Sequence, residues 1–306
     1  MQTSIILLTK NGGSIFSEVL EKLFDCRGID QAEIIMIDSG STDLTKEYAR
    51  KYAKIQLVEI TSSEFGHGKT RNLGASLAKG DILIFLVQDA IPAHPHFLEK
   101  LMAPLADTQV AGVYGRQLPR PATNPVEKFF LESTYPDSGA IRTHNLSGRL
   151  SIGSIFFSNV NSAIRRRVWE QVPFDESLIM SEDQQWAKEV LLKGYAVVYE
   201  PAAGVWHAHN YGLKQVFQRN FDSGCSLRGV VKDSLAHMVR YELNFLRAGI
   251  RQLARWGSAA QIPYFLLHEA ARSLGFALGQ QSHLLPVRAN YSLSLHKYYW
   301  RRRQKT

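Results

Sequence analysis

Cysteine is nearly absent: 306 residues contain two, Cys26 and Cys225, far apart and without metal-ligand spacing. That excludes a disulfide framework and a cysteine zinc site, and a reducing, cytosolic compartment is expected. Long apolar runs are missing too. No stretch approaches the roughly 18 uninterrupted apolar residues of a membrane span. The nearest, Ile262 to Leu267, contains Pro263 and meets His268. Ser4 to Leu8 is too short for the apolar region of a secretion signal and reads instead as a first strand. Glycine-rich phosphate fingerprints are also lacking. No Gly-x-Gly-x-x-Gly follows that strand and no Gly-x-x-x-x-Gly-Lys-Ser/Thr occurs anywhere, which argues against a dinucleotide dehydrogenase or a P-loop ATPase.

Negative charge is scarce at one end. The chain carries a net +8, and from Arg240 onward eleven Lys and Arg face only Glu242 and Glu269, so the preceding 239 residues sum to −1. A nucleic-acid enzyme would carry positive charge around its site, whereas here it belongs to a tail. With 45% hydrophobic residues, the chain has enough apolar material for one large α/β domain and an appendage.

What is present is a recurring strand, polar turn and helix. Ser4–Thr9 reads as a strand, Lys10–Gly13 as a turn, and Ile15–Phe24 has helical spacing. Glu33–Ile37 and Ile55–Ile60 are the next strands, each followed by polar residues and a helix. The fourth, Ile82–Val87, is apolar on both faces and releases Gln88-Asp89-Ala90. Strands buried on both faces predict a mostly parallel, doubly wound sheet, and such sheets bind ligands at the carboxyl ends of their strands. Asp89 is expected in that crevice. The other strand ends offer Asn11, Asp38, Asp43, Lys69 and Arg71, acids for ribose, base or metal and cations for phosphates, so the composition is that of a nucleotide-diphosphate site. Residues 118–150 hold four prolines and few periodic apolar positions and are expected to form an active-site loop.

Ser181 is placed to cap a helix with Glu182 and Asp183 in its first turn, where carboxylates also serve the helix itself. His207 and His209, two apart, point the same way if the segment is extended. Such a pair serves equally as ordinary histidines or, with one carboxylate, as ligands for a divalent ion.

In order, Thr9-Lys10-Asn11, Asp38-Ser39-Gly40-Ser41-Thr42-Asp43, Phe65-Gly66-His67-Gly68-Lys69-Thr70-Arg71-Asn72, Gln88-Asp89-Ala90, Glu182-Asp183 and His207-Ala208-His209-Asn210-Tyr211 resemble the inverting glycosyltransferases of family two with the GT-A fold. The Phe-x-His-Gly-x-Thr-Arg-Asn and Gln-Asp-Ala elements resemble its rhamnosyltransferase branch. The likeness spans about residues 3–215. It implies a GT-A domain over 1–215 and a helical extension over 216–306. It also implies that Thr9, Asn11 and Asp38 hold the pyrimidine and ribose of a nucleotide sugar, with Lys69, Arg71 and Gln88 among the donor-binding residues. Asp89 with His207 or His209 would bind Mg²⁺ or Mn²⁺, and Asp183 would be the general base, with Glu182 its neighbour. Where most of the wider family carries Asp-x-Asp this chain has Val87-Gln88-Asp89, a loss that the rhamnosyl-like branch shares. The implied donor is dTDP-L-rhamnose and the implied acceptor a glycan or polyprenyl-diphosphate-linked glycan of bacterial surface polysaccharide. Transfer of another hexose from a UDP or dTDP donor and a non-catalytic nucleotide-sugar-binding subunit are the alternatives.

In the tail, Arg247, Arg251 and Arg255 stand at four-residue spacing beside Leu243, Leu246, Ile250 and Leu253, one basic and one apolar helix stripe. Phe265, Leu267, Leu274 and Leu278 add apolar surface. A membrane-surface device on the cytoplasmic leaflet is expected; packing on the catalytic domain and a homo-oligomer contact are the other uses of such a surface. No nucleic-acid partner is expected.

Overall fold

The computed structural model describes residues 2–139, 141–144, 150–230 and 235–303. The chain divides into two compact units, one of residues 1–118, 135–177 and 182–207, the other of 119–134, 178–181 and 208–306. Against the expected boundary at 215, the second unit begins earlier and recruits two segments from within the first. The proline-rich stretch accounts for one of them: Pro125–Thr134 is a helix, α5, and not the loop expected there. Its Val126 and Phe129 are buried with Leu253 and Phe265 of the second unit.

In the first unit the chain runs β1 (Thr3–Thr9), α1 (Gly13–Phe24), β2 (Ala32–Asp38), α2 (Thr45–Arg50), β3 (Ile55–Glu59), α3 (His67–Leu77), β4 (Ile82–Val87), β5 (Ile91–Pro92), α4 (Phe97–Met102) and β6 (Val110–Leu118). After α5 come β7 (Ile141–His144), β8 (Asn161–Arg165), α6 (Arg166–Gln171), α7 (Glu182–Leu192) and β9 (Ala196–Trp206). The sheet order is β3-β2-β1-β4-β8-β6-β9-β5, with β7 on β9. Strands β1 to β4 are parallel, as their alternation with helices predicts. β8 then enters antiparallel between β4 and β6. Every residue of β1 is buried, as are Ile82 to Leu86 of β4, and each such aliphatic side chain contributes about 1.5–3 kcal/mol. Helix α3 lies so close to this sheet that a Cβ on Gly74 would stand 2.4 Å from the Ile6 side chain. Glycine there lets α3 bring Arg71 up to the strand ends.

The second unit holds α5, α8 (Leu213–Ser226), α9 (Leu235–Arg255), α10 (Ile262–Gln280), α11 (Val287–Leu293) and α12 (Lys297–Arg303). Helices α8 and α10 meet almost backbone to backbone: Cβ atoms on Gly275 and Gly279 would come within 2.4 and 2.1 Å of the carbonyls of Phe217 and Phe221. This is the close approach that a Gly-x-x-x-Gly spacing permits. No helix among the described residues is long and apolar enough to cross a membrane.

Candidate active site

The carboxyl ends of β1 and β2 are laced together by their own loops. Thr9 and Asp38 are register partners, and the Thr9 hydroxyl donates to the Asp38 carboxylate at 3.2 Å. Asp38 is completely buried and also accepts from the backbone of Gly40 and Ser41 (3.1 and 2.8 Å) and from the Ser41 hydroxyl. Asn11 takes φ 49, a left-handed conformation that Asn tolerates, and its Oδ1 accepts from Thr42 N at 2.9 Å. Asp43 accepts from Gly13 N and, with the Thr45 hydroxyl donating at 2.6 Å, is held below the usual carboxylate range. Gln88 joins the same lattice through Lys10 N, at 2.6 Å. Thr9, Asn11, Asp38 and Gln88 are thus brought together in one preorganised mouth.

Asp89 follows β4 and is partly buried, its carboxylate 3.5 Å from Nε2 of the buried His207. The other ring nitrogen of His207 is 2.9 Å from Gln117 Oε1, while Gln117 Nε2 donates to the Tyr135 hydroxyl (2.6 Å) and Ser158 Oγ (3.0 Å). The ring is thus held through Nδ1 by an amide that is itself held from two sides, and Nε2 faces the Asp89 carboxylate. A carboxylate beside an imidazole nitrogen whose ring is fixed through its far nitrogen is a ligand pair suited to a divalent cation. His209 belongs to the second unit, where its ring stacks on Tyr211 with centroids 4.8 Å apart.

The acids at the start of α7 have different fates. Glu182 is buried and ion-paired with the buried Arg71 at 3.0 Å. Arg71 also donates to His67 O at 3.2 Å, and its Nε has no hydrogen-bond partner among the described residues. Asp183 is half-buried and accepts from Asn159 N (3.0 Å) and Gln184 N (2.9 Å). Burial first and the charge of Glu182 second push its carboxyl up to about 7, against those hydrogen bonds and Arg71. A carboxylate with a proton affinity near neutrality is suited to accept a proton from a hydroxyl. Asn159 is the residue that sequence reasoning missed. Its backbone holds Asp183, its side chain reaches Glu182 at 3.5 Å and accepts from Ser162 at 2.7 Å. The only signal was two asparagines, 159 just ahead of a buried strand and 161 opening it.

Strand pairing connects these groups. Val87 N donates to Val160 O at 3.1 Å, so Asp89 and Asn159 leave neighbouring strands at the same sheet end. Lys69 and Arg71 part company: two residues apart on α3, they lie on opposite sides. Lys69 is exposed and lines a cleft of about 740 Å³ with Asn72, Trp169, Phe174 and Glu176. Asn72 uses its whole amide there, donating to Phe174 O and Glu176 and accepting from Trp169 Nε1 and Phe174 N, all at 2.9–3.1 Å.

Residues 4–172 match the model of glycosyl transferase family 2. The O-antigen chain rhamnosyltransferase RfbN of Salmonella typhimurium is 34% identical over 98% of this chain and 96% of its own. The O-antigen chain rhamnosyltransferase WbaN of Salmonella anatum is 33% identical over 97% and 95%. Among solved structures, the mannosyltransferase PcManGT of Pyrobaculum calidifontis, in complex with GDP-Man and Mn²⁺, superposes with a TM-score of 0.58 at 18% identity, over 98% of this chain and 84% of that one. TarS of S. aureus with UDP-GlcNAc gives 0.57 at 16%, over 93% and 92%. These two likenesses show the GT-A fold.

Proposed function

Because the chain belongs to glycosyl transferase family 2, an inverting family, we propose that it transfers L-rhamnose from dTDP-L-rhamnose to a hydroxyl of a lipid-linked O-antigen glycan. The full-length similarity to two O-antigen rhamnosyltransferases supports the sugar and the acceptor class. The observation that carries the mechanism is the division of labour at the start of α7. Arg71 forms its ion pair with Glu182, while Asp183 makes no ion pair among the described residues and its carboxyl is raised to about 7, basic enough to act.

In this reading Asp183 receives the proton of the acceptor hydroxyl as that oxygen attacks the anomeric carbon. The dTDP leaves from the opposite face, which inverts the configuration. Base catalysis of this kind contributes roughly 10²–10⁴-fold. Thr9, Asn11 and Asp38 shape the nucleoside pocket. Arg71 offers its open Nε to the diphosphate, a charge-assisted hydrogen bond. Lys69, exposed on the other side of α3, is the second cation proposed for the donor diphosphate. Asp89 and His207 would hold Mg²⁺ or Mn²⁺. When bound, such an ion neutralises charge growing on the leaving diphosphate. Gln88, tied to Lys10, keeps the loop beside Asp89 in place. The reaction is set at the cytoplasmic leaflet, where a polyprenyl-diphosphate acceptor presents its glycan.

Isothermal titration with dTDP, UDP and GDP, each with Mg²⁺ and then EDTA, followed by transfer from dTDP-L-rhamnose to lipid-linked glycan extracted from membranes, tests the reading. Metal-dependent preference for dTDP together with transfer is expected. Preference for UDP would reassign the sugar, and binding without transfer to any acceptor would leave a nucleotide-sugar-binding subunit.

A further inference from the structure

Helix α10 is built with its polarity reversed. A helix at the edge of a soluble unit ordinarily turns apolar residues inward and charged ones outward. Here the charged and polar residues go inward: His268 and Glu269 are buried, and Arg272 is bound to Glu269 at 2.7 Å and to Glu242 of α9 at 2.6 Å. The solvent-exposed positions are Pro263, Leu266, Leu267, Ala270, Leu274 and Ala277, every one apolar. Leu266, Leu267 and Leu274 are 44%, 58% and 64% exposed, and Leu284, just beyond the helix, 70%. Spaced at 263, 267, 270, 274 and 277, most of them fall on one stripe running the length of the helix.

The neighbouring α9 supplies the complement. It packs on α10 through Phe245 and Gly249 against Phe265 and through the Glu242–Arg272 pair. Its exposed stripe carries Arg240, Arg247, Arg251 and Arg255, with Leu243 and Ile250 beside them. The two carboxylates of these helices among the described residues both serve Arg272, Glu269 buried and Glu242 34% exposed. Apolar residues on one helix and arginines on its neighbour, with both acids paired to Arg272, is the composition of an element that lies in a lipid headgroup layer without crossing it.

We propose that the exposed faces of α9 and α10 dock on an anionic lipid bilayer, the α10 leucines entering the acyl boundary and the α9 arginines engaging lipid phosphates. A second copy of the chain is the poorer occupant, because its matching face brings four more arginines and, among the described residues, no carboxylate free of Arg272 to pair them. The proposal does not rest on the donor assignment, so it stands or falls separately from the transferase reading.

The test uses the full chain in co-sedimentation with vesicles of phosphatidylcholine alone and of phosphatidylcholine with one third phosphatidylglycerol, at low and high salt. Binding to the anionic vesicles only, weakened by salt, is expected. Leu267→Glu/Leu274→Glu changes exposed positions, leaves dTDP binding intact, and is expected to weaken vesicle binding by roughly tenfold or more. Arg247→Glu/Arg251→Glu is expected to abolish the preference for anionic lipid. Absence of binding to anionic vesicles would overturn the proposal. So would binding insensitive to the leucine changes, or sedimentation velocity showing a dimer that Leu267→Glu/Leu274→Glu dissolves.

Discussion

Replacing Asp183 with asparagine separates chemistry from stability. The carboxylate accepts two backbone hydrogen bonds, from Asn159 and Gln184. The amide retains one acceptor oxygen, so one N–H loses its partner, at a cost of about 1 kcal/mol. The parent carries the opposite burden, because its carboxyl is raised from 3.8 to about 7. At about 1.36 kcal/mol per pK unit, ionising it in the folded state costs up to about 4 kcal/mol, which solvent access to the half-buried group reduces to about 1–2 kcal/mol. The folded state favours the protonated form. The cost is therefore absent below the unfolded value of 3.8, grows as pH rises, and is complete above about 7. Asp183→Asn should match or exceed the parent in thermal stability at about pH 8 and fall below it at about pH 5. Turnover, followed as dTDP release in the presence of acceptor, should drop by about 10²–10⁴-fold with the dTDP dissociation constant unchanged. A drop of less than about tenfold, or loss of dTDP binding in parallel with turnover, would refute the assignment of Asp183 as base. So would a variant less stable than the parent at every pH.

Other perturbations follow from single contacts. In the parent, kcat/KM should fall as pH drops below about 7, as the Asp183 carboxylate becomes protonated; a flat profile across that range would remove its kinetic role. Gln117→Leu takes away the amide that holds the His207 ring, and Mn²⁺ affinity, measured by titration with dTDP present, should weaken about 10–100-fold. Arg272→Met leaves the buried Glu269 with the His268 ring as its remaining partner and should destabilise the protein by up to about 3–5 kcal/mol in denaturant unfolding. Gly279→Leu drives a side chain into the Phe221 carbonyl, and a loss of about 1–3 kcal/mol or more is expected from the same measurement.

The regular half of the fold was legible because its signals are local. Strands β1 to β4, their polar turns and the parallel order follow from apolar runs of strand length alternating with helical spacing, and Thr9, Asp38 and Asp89 could be placed at strand ends on that basis alone. Partnerships across the chain were not. Nothing in the spacing of α3 reveals that Arg71 turns to Glu182, 111 positions later, while Lys69 faces the other way. The prolines at 119, 121, 125 and 136 read as a loop, yet Pro125 stands at the first position of α5, where its missing N–H costs nothing. Helix α10 defeats pattern reading for a different reason: its leucines mark an apolar face correctly, but not that this face points outward.

The place of β8 between β4 and β6 governs the order in which the sheet can be completed during synthesis. Strands β1 to β4 leave the ribosome within the first 87 residues and can pair among themselves, whereas the strand that closes the β4 edge lies at Asn161–Arg165. For about 75 further residues, some 4–15 s at bacterial elongation rates, the nascent chain presents Ile82 to Leu86 as an open, apolar strand edge. Such an edge is a template for pairing with another chain. A chaperone-poor expression host or a stop before residue 161 would therefore act on this interval, in which pairing with another chain competes with completion of the sheet.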